Sequence, residues 1–357
     1  MGVFVIGMHR SGTSAVTELL ASGGLTVGSS DALMQPTPQN ERGYFELTEL
    51  RVFNDQILKD VFGGWALAPP EPPLDQALLL RRHRTSARRL FETLLPRDGN
   101  WVWKDPRNCL LLQFWRRWLK GPHLGILVLR HPAAISASLK LRDDIEPATA
   151  LALWERHLRS AVTQLHGLPV ETVWYDELLE QPVETADRLL TSCEQSLDGF
   201  SRSRHWKKQP PVYKELRHHI SDEGLPSPFQ ELLQELHTLP PSSSVFQPTI
   251  SPNESPLTQG LLAERSSQER IVTDLEAEVD TRGQIIDELK TEVDTRATAL
   301  ADLEAEVNTR GQIIDELVRH RENYESLVAN LAQSGVLRRR QAIRNLVDTL
   351  PSPIEST

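Results

Sequence analysis

The chain has 357 residues, 25 % of them charged, and a formal net charge of −10. It is long enough for a sizeable core and more than one structural unit, and it lacks the basic excess of a nucleic-acid wrapper or a polybasic membrane binder. The charge is uneven, since residues 259–333 hold 17 acidic and 8 basic side chains, which leaves the remainder nearly neutral and open to an anionic ligand.

No segment approaches the ~20 apolar residues of a transmembrane helix. The opening apolar run is too short for a signal peptide, and Ile6 stands where a myristoylation signal needs Ser or Thr. Cys109 and Cys193 lie far apart without metal-ligand spacing, and no metal-ligand cluster appears. The expectation is a reduced, cytoplasmic protein without a metal.

Residues 3–6, Val-Phe-Val-Ile, stop at Gly7, and a helical pattern restarts at Thr13. Strand, tight turn and helix start place glycines Gly7 and Gly12 where a ligand can approach closely, with amides and the positive end of a helix dipole aimed at it. The spacing matches the front of G-x-x-x-x-G-K-[ST], but Thr13 stands at the lysine position and the positive charge has moved to Arg10. A planar guanidinium can engage two phosphoryl or sulfuryl oxygens. Ser11, Gly12, Thr13 and Ser14 complete the loop.

Residues 25–28 read as a second short strand, followed by a polar loop that closes in Asn-Glu-Arg-Gly-Tyr-Phe-Glu, residues 40–46. Helical spacing from Leu47 puts Glu46 near a helix N-terminus, either as a dipole-complementing acid or as a functional group. A Pro-rich connection leads to a basic helix over 74–95, whose arginines usually mark a solvated face. Residues 101–103 read as a buried strand ending in Lys104-Asp105-Pro106-Arg107. Lys104 and Arg107 are then either cationic site groups at a strand's carboxyl end or members of a turn neutralised by Asp105.

Residues 124–129 form another strand, ending in Arg130-His131-Pro132, and the helix that follows carries Ser138 and Arg142 on one face. After an amphipathic helix over 147–167, a strand over 170–174 ends at Tyr175. Strands alternating with helices predict a parallel α/β sheet with right-handed crossovers, a P-loop-like three-layer domain over residues 1–237. Several strands would deliver Arg10, Lys104, Arg107, Arg130 and Tyr175 to one rim, a pocket for a ligand with more than one phosphate group. Residues 199–222, with Arg202, Trp206, Lys207 and Lys208, either cover that pocket or form a solvated loop.

These motifs together resemble the sulfotransferases that use 3′-phosphoadenosine-5′-phosphosulfate. Gly-Met-His-Arg-Ser-Gly-Thr-Ser at 7–14 is similar to their 5′-phosphosulfate loop, with Arg in place of Lys, and Leu-Arg-His-Pro with Ser138 resembles their 3′-phosphate-binding strand and helix. Lys-Asp-Pro-Arg at 104–107 resembles the tyrosylprotein and bacterial carbohydrate branches, and residues 40–46 with Asn54-Asp55 resemble bacterial members. The likeness covers about residues 1–210.

It implies that Arg10, the amides of Ser11 to Ser14 and the Thr13 and Ser14 hydroxyls hold the 5′-phosphosulfate. Arg130, Ser138 and Arg142 would hold the 3′-phosphate. Lys104 would neutralise the leaving oxygen, and Glu46, Asp31 or His9 would take the proton of an acceptor hydroxyl, on a carbohydrate or glycolipid if the bacterial motifs are followed. The glycine- and lysine-rich adenine-side loop of cytosolic members is not recognisable. Two other readings stand beside this one: a nucleoside or small-molecule kinase on a related phosphate loop, and an inactive α/β domain on a coiled-coil scaffold.

Residues 238–258, rich in Pro and Ser, read as a linker. Beyond them residues 274–289 recur almost unchanged at 302–317. With Val272 as heptad position a, Val279, Ile286, Val293, Leu300, Val307 and Ile314 fill every a site, while d alternates between leucine and Arg282, Arg296 or Arg310. This predicts a self-associating coiled coil over 259–333, with β-branched a and Leu d leaning toward a parallel dimer. A basic, then Pro-rich tail over 334–357 ends the chain.

Overall fold

The computed structural model describes residues 2–37, 43–67, 76–95, 99–118, 121–203, 206, 224–333 and 335–349. Residues 1–271 form one compact unit and 272–357 a second.

In the first unit a sheet is ordered β2-β1-β3-β4-β5, where β1 is Gly2–Ile6, β2 Trp101–Lys104, β3 His123–Leu129, β4 Val170–Trp174 and β5 Ser242–Ser243. The first four strands pair in parallel, as the alternation of elements predicts, and β5 joins β4 antiparallel. β1 and β3 are buried at every residue, the condition of strands covered on both faces. Side chains of β1 alternate accordingly. Phe4 and Ile6 enter a core with Trp103, Trp115, Trp154 and Phe229, whereas Val3 and Val5 enter another with Val16, Leu20, Leu189 and Leu190. Two cores on opposite sides of one sheet make the three-layer α/β domain.

Helices α1 (Thr13–Ser22), α7 (Tyr175–Glu180) and α8 (Pro182–Ser196) supply the second core. The first is built with α2 (Thr48–Phe62), α4 (Asn108–Arg116), α5 (Pro132–Asp143), α6 (Pro147–Gln164) and α9 (Ser227–His237). The basic helix α3 (Gln76–Leu94) exposes Arg81, Arg82, Arg84, Arg88 and Arg89 to solvent. Because β1 lies between β2 and β3, the carboxyl ends of three neighbouring strands, carrying residues 7–12, 104–107 and 130, emerge along one edge. The strand order reverses direction there, which is where ligands of open α/β sheets bind.

Three expectations change. Residues 25–28 make only a single parallel bridge, Thr26 to Trp101, because the segment leaves the sheet edge after one residue. Residues 238–258, expected as a linker, lie against the first unit: β5 sits within them, Phe246 is buried, and its backbone exchanges hydrogen bonds with Gly167 and Leu168.

The long helix α10 (Pro256–Gln333) begins against α6. Glu155, fully buried, pairs with Arg159 at 2.7 Å and accepts hydrogen bonds from the Ser255 amide, the Ser255 hydroxyl and the Thr258 hydroxyl. Arg156 pairs with Glu254 at 2.6 Å. A carboxylate at the start of a helix satisfies free amides and complements the dipole. The third change is at the C-terminus, where residues expected as a tail form α11 (Val336–Thr349). Residues 350–357 lie outside the described residues. Among the described residues no helix is long and apolar enough to cross a membrane.

Candidate active site

The loop after β1 is shaped by steric demands at its two glycines. Arg10 and Gly12 both have positive φ, 71° and 97°. The φ of Gly12 suits glycine, and a Cβ there would fall 2.2 Å from the Tyr175 ring. At Gly7 a Cβ would lie 2.6 Å from both the Ser11 hydroxyl and the Val128 carbonyl. α1 starts at Thr13 with no side-chain cap; the Ala15 and Val16 amides donate to the Gly12 carbonyl, which leaves those of Thr13 and Ser14 as the helix-end donors. The Ser11 hydroxyl is buried without a partner, and Thr13, two residues on, is buried too. Ser14 donates weakly to the Tyr44 carbonyl at 3.4 Å.

Arg10 Nε donates to the Ser138 hydroxyl of α5 at 2.7 Å. Arg130, at the end of β3, donates to the Arg10 carbonyl at 2.8 Å and lies over the Tyr175 ring, 4.7 Å from its centroid. Burial and the Arg142 and Arg130 charges push Arg10 below the usual arginine range, and burial does the same to Arg130. Arg142 itself grips Asp143 through three hydrogen bonds of 2.5–2.9 Å. The structure therefore gathers Arg10, Ser11, Gly12, Thr13, Ser14, Arg130, Ser138 and Tyr175 around one loop, with Arg142 close enough for its charge to act on Arg10.

Beside this loop Lys104 Nζ donates to Glu46 at 2.6 Å and to the Tyr44 carbonyl at 2.9 Å. Arg107 lies 3.5 Å from the other Glu46 oxygen, pairs with Asp105 at 3.1 Å and bonds Asp55. Asp105 is buried and receives Asn54 at 2.9 Å, and Asn54 in turn accepts the Trp115 indole N–H at 2.8 Å. Burial favours a protonated Glu46, yet Lys104 and Arg107 outweigh it and hold the carboxyl below its ordinary range. The neutralised-turn reading of residues 104–107 is seen in the Asp105–Arg107 pair, while Lys104 is paired with Glu46 instead.

His9 is buried against Trp65, with ring centroids 4.4 Å apart, and 6.1 Å from His157 of α6. Burial, with the nearby Arg107 charge, drives its pKa well below 6.5, so the ring is neutral at pH 7. Asp31 is exposed on a short turn and bonds Ser30; among the described residues no hydrogen bond or ion pair joins it to Glu46, Lys104 or Arg10. Arg202, expected in a possible cover, is committed to Glu194 and Asp187, while Trp206 packs at the edge of the second core. Lys207 and Lys208 lie outside the described residues, as does Asn40.

Trp65, His157 and the Tyr44 carbonyl carried no signal in the sequence. Trp65 follows two glycines in a loop, and His157 sits among apolar neighbours of an amphipathic helix.

A glycine turn with its cation at position 10, a second arginine on the adjacent strand and a buried lysine–glutamate pair thus lie along one edge of an α/β fold. A family model described as "Sulfotransferase family" matches residues 2–199, more than half of the chain, and the chain belongs to that family. Among solved structures, a sulfotransferase domain from the Synechococcus PCC 7002 olefin synthase is similar at 17 % identity, covering 74 % of this chain and 94 % of that one with a TM-score of 0.33. No curated protein matches.

Proposed function

We propose that this sulfotransferase moves a sulfuryl group from 3′-phosphoadenosine-5′-phosphosulfate to a hydroxyl of a carbohydrate or glycolipid. The observation that carries the donor assignment is the arginine pair. Arg10 and Arg130 are bonded through the loop backbone and partly buried with Arg142 nearby, three cations whose crowding an anion relieves. The unpartnered Ser11 hydroxyl and the Thr13 and Ser14 amides at the start of α1 fit the same anion. A nucleotide kinase would need a loop lysine where Thr13 stands.

When bound, the nucleotide supplies an activated sulfuryl group and a phosphate leaving group. Arg10, the amides of Gly12 to Ser14 and the Thr13 and Ser14 hydroxyls would hold its 5′ end, the Ser11 amide being bonded to the Met8 carbonyl at 3.1 Å. Arg130, Ser138 and Arg142 would hold the 3′-phosphate, and Tyr175 supports Arg130 from below. Lys104 neutralises charge on the leaving oxygen, and Glu46 takes the acceptor proton. The two roles are linked. While Lys104 bonds Glu46 the carboxylate is a weak base, and an ammonium turned toward the leaving oxygen releases it. His9 and Asp31 are the alternative bases.

Transfer of label from the sulfuryl donor to a panel of sugar, glycolipid and peptide hydroxyls, with a chelator present, tests this reading. Transfer to a sugar or glycolipid is expected. Transfer only to peptides would move the acceptor class, and phosphoryl transfer from ATP with magnesium would replace the reading by a kinase.

A further inference from the structure

The apolar seam of α10 within the second unit stands open along the single chain. Val279, Ile286, Leu289, Val293, Leu303 and Val307 are each more than half exposed. A row of aliphatic side chains this long on a helix otherwise charged is an interaction surface. Its second feature is the set of arginines that occupy alternate d sites. Arg282 pairs with Glu278 and Arg296 with Glu292, both at 2.5 Å, and Arg310 with Glu306. Each arginine therefore brings its own acid, four residues earlier, onto the seam's edge.

We propose that this face is covered by a second copy of the same helix running antiparallel, with Val279 opposite Arg310, Ile286 opposite Leu303 and Val293 opposite Arg296. In this register every d arginine meets an a-site valine, and every d leucine from 275 to 317 meets an aliphatic a residue. Glu278 adjoins Val279 and so comes beside Arg310 of the second copy, while Glu306 comes beside its Arg282. Two acids and two guanidinia then share each such site, which leaves it neutral, and the long arginine stems lie along the apolar seam.

A parallel, in-register dimer would stack arginine on arginine in three core layers, at 282, 296 and 310. Like charges held together in a drying seam are costly. A parallel pair slipped by one heptad avoids that clash, but its contact is heterologous and does not close, leaving an open end for further copies. The antiparallel pair is two-fold symmetric and closed. The arginine layers thus override the preference that β-branched a and Leu d residues have for parallel strands. The proposal does not depend on the sulfotransfer reading.

Full-length Ile286→Cys and Leu303→Cys chains test it, the native cysteines both being buried. Mixed, allowed to exchange and oxidised, the two variants should give a disulfide-linked dimer containing one chain of each. Neither variant alone should link to itself, because in the antiparallel register identical positions lie about 25 Å apart along the helix at ~1.5 Å per residue. Self-linked dimers from either variant alone would overturn the proposal in favour of parallel strands. A monomer by light scattering, or no linkage in any sample, would overturn it as well.

Discussion

Arg130 acts twice, holding the loop backbone at the Arg10 carbonyl and presenting a partly buried charge stacked on Tyr175. A charge-assisted bond to a phosphate contributes about 1.5–3 kcal/mol. Arg130→Ala should therefore weaken adenosine 3′,5′-bisphosphate ~10- to 100-fold and ADP far less. Titration calorimetry checks this, and equal losses for both nucleotides would remove Arg130 from the 3′-phosphate site. Glu46→Gln should lower turnover by ~100-fold or more while leaving nucleotide affinity largely intact. Because it leaves Lys104 and Arg107 short of a buried partner, thermal unfolding of the variant must be measured alongside. Unchanged turnover in a folded variant would transfer the base role to Asp31 or His9.

His157 carries a pH prediction. Its Nδ1–H donates to the Leu153 carbonyl at 2.7 Å, Nε2 is buried without a partner, and burial pushes its pKa down to about 4 from 6.5. The folded state then binds fewer protons than the unfolded chain between those values, so stability is full above pH 6.5 and falls as the pH drops toward 4. The loss should reach ~3 kcal/mol, and His9 adds to it in the same direction. Denaturant melts across this range should show the decline, and His157→Gln should make it shallower, leaving the part due to His9. A stability that stays level down to pH 4 would mean His157 charges freely in place.

At the scale of elements, the buried Glu155 fixes the first turn of α10 to α6 through Ser255 and Thr258. Thr258→Val leaves that carboxylate one donor short and should cost about 1–3 kcal/mol, measured by chemical denaturation. A loss below ~0.5 kcal/mol would show that Ser255 and Arg159 satisfy Glu155 without it. This anchor was not legible in the sequence. Residues 238–258 have a linker's composition, and the groups that hold them, such as Glu155 and Leu168, lie far away in the chain.

The turn over residues 7–14 was legible because Gly7 and Gly12 serve backbone demands that leave a spacing, and the strand ends at Lys104 and Arg130 because apolar runs stop abruptly on cations. The pairing of Lys104 with Glu46 across 58 residues could be seen only once β2 and the start of α2 were placed. Residues 25–28 mislead because an apolar run without a partner beyond Thr26 cannot extend a sheet.

At the scale of the whole molecule, the chain divides near residue 271 into a catalytic unit and a helical one. A chain ending at 271 keeps Thr258 and the buried Leu262 and should fold, bind nucleotide and remain monomeric by light scattering. A chain ending at 254 loses the Ser255 and Thr258 donors to Glu155, leaves it only Arg159, and should be less stable by about 1–3 kcal/mol per lost donor. Equal stability of the two truncations would mean that the first turns of α10 add nothing to the catalytic unit.

On the function proposed above, the loop at residues 7–14 and Arg130 form a site for a nucleotide bearing both 5′- and 3′-phosphates. Calorimetric titration of the full chain with adenosine 3′,5′-bisphosphate and with ADP, with and without magnesium, tests it most directly. Tighter binding of the bisphosphate, unaffected by magnesium, is the predicted result. Equal or weaker binding than ADP, or binding that appears only with magnesium, would contradict it.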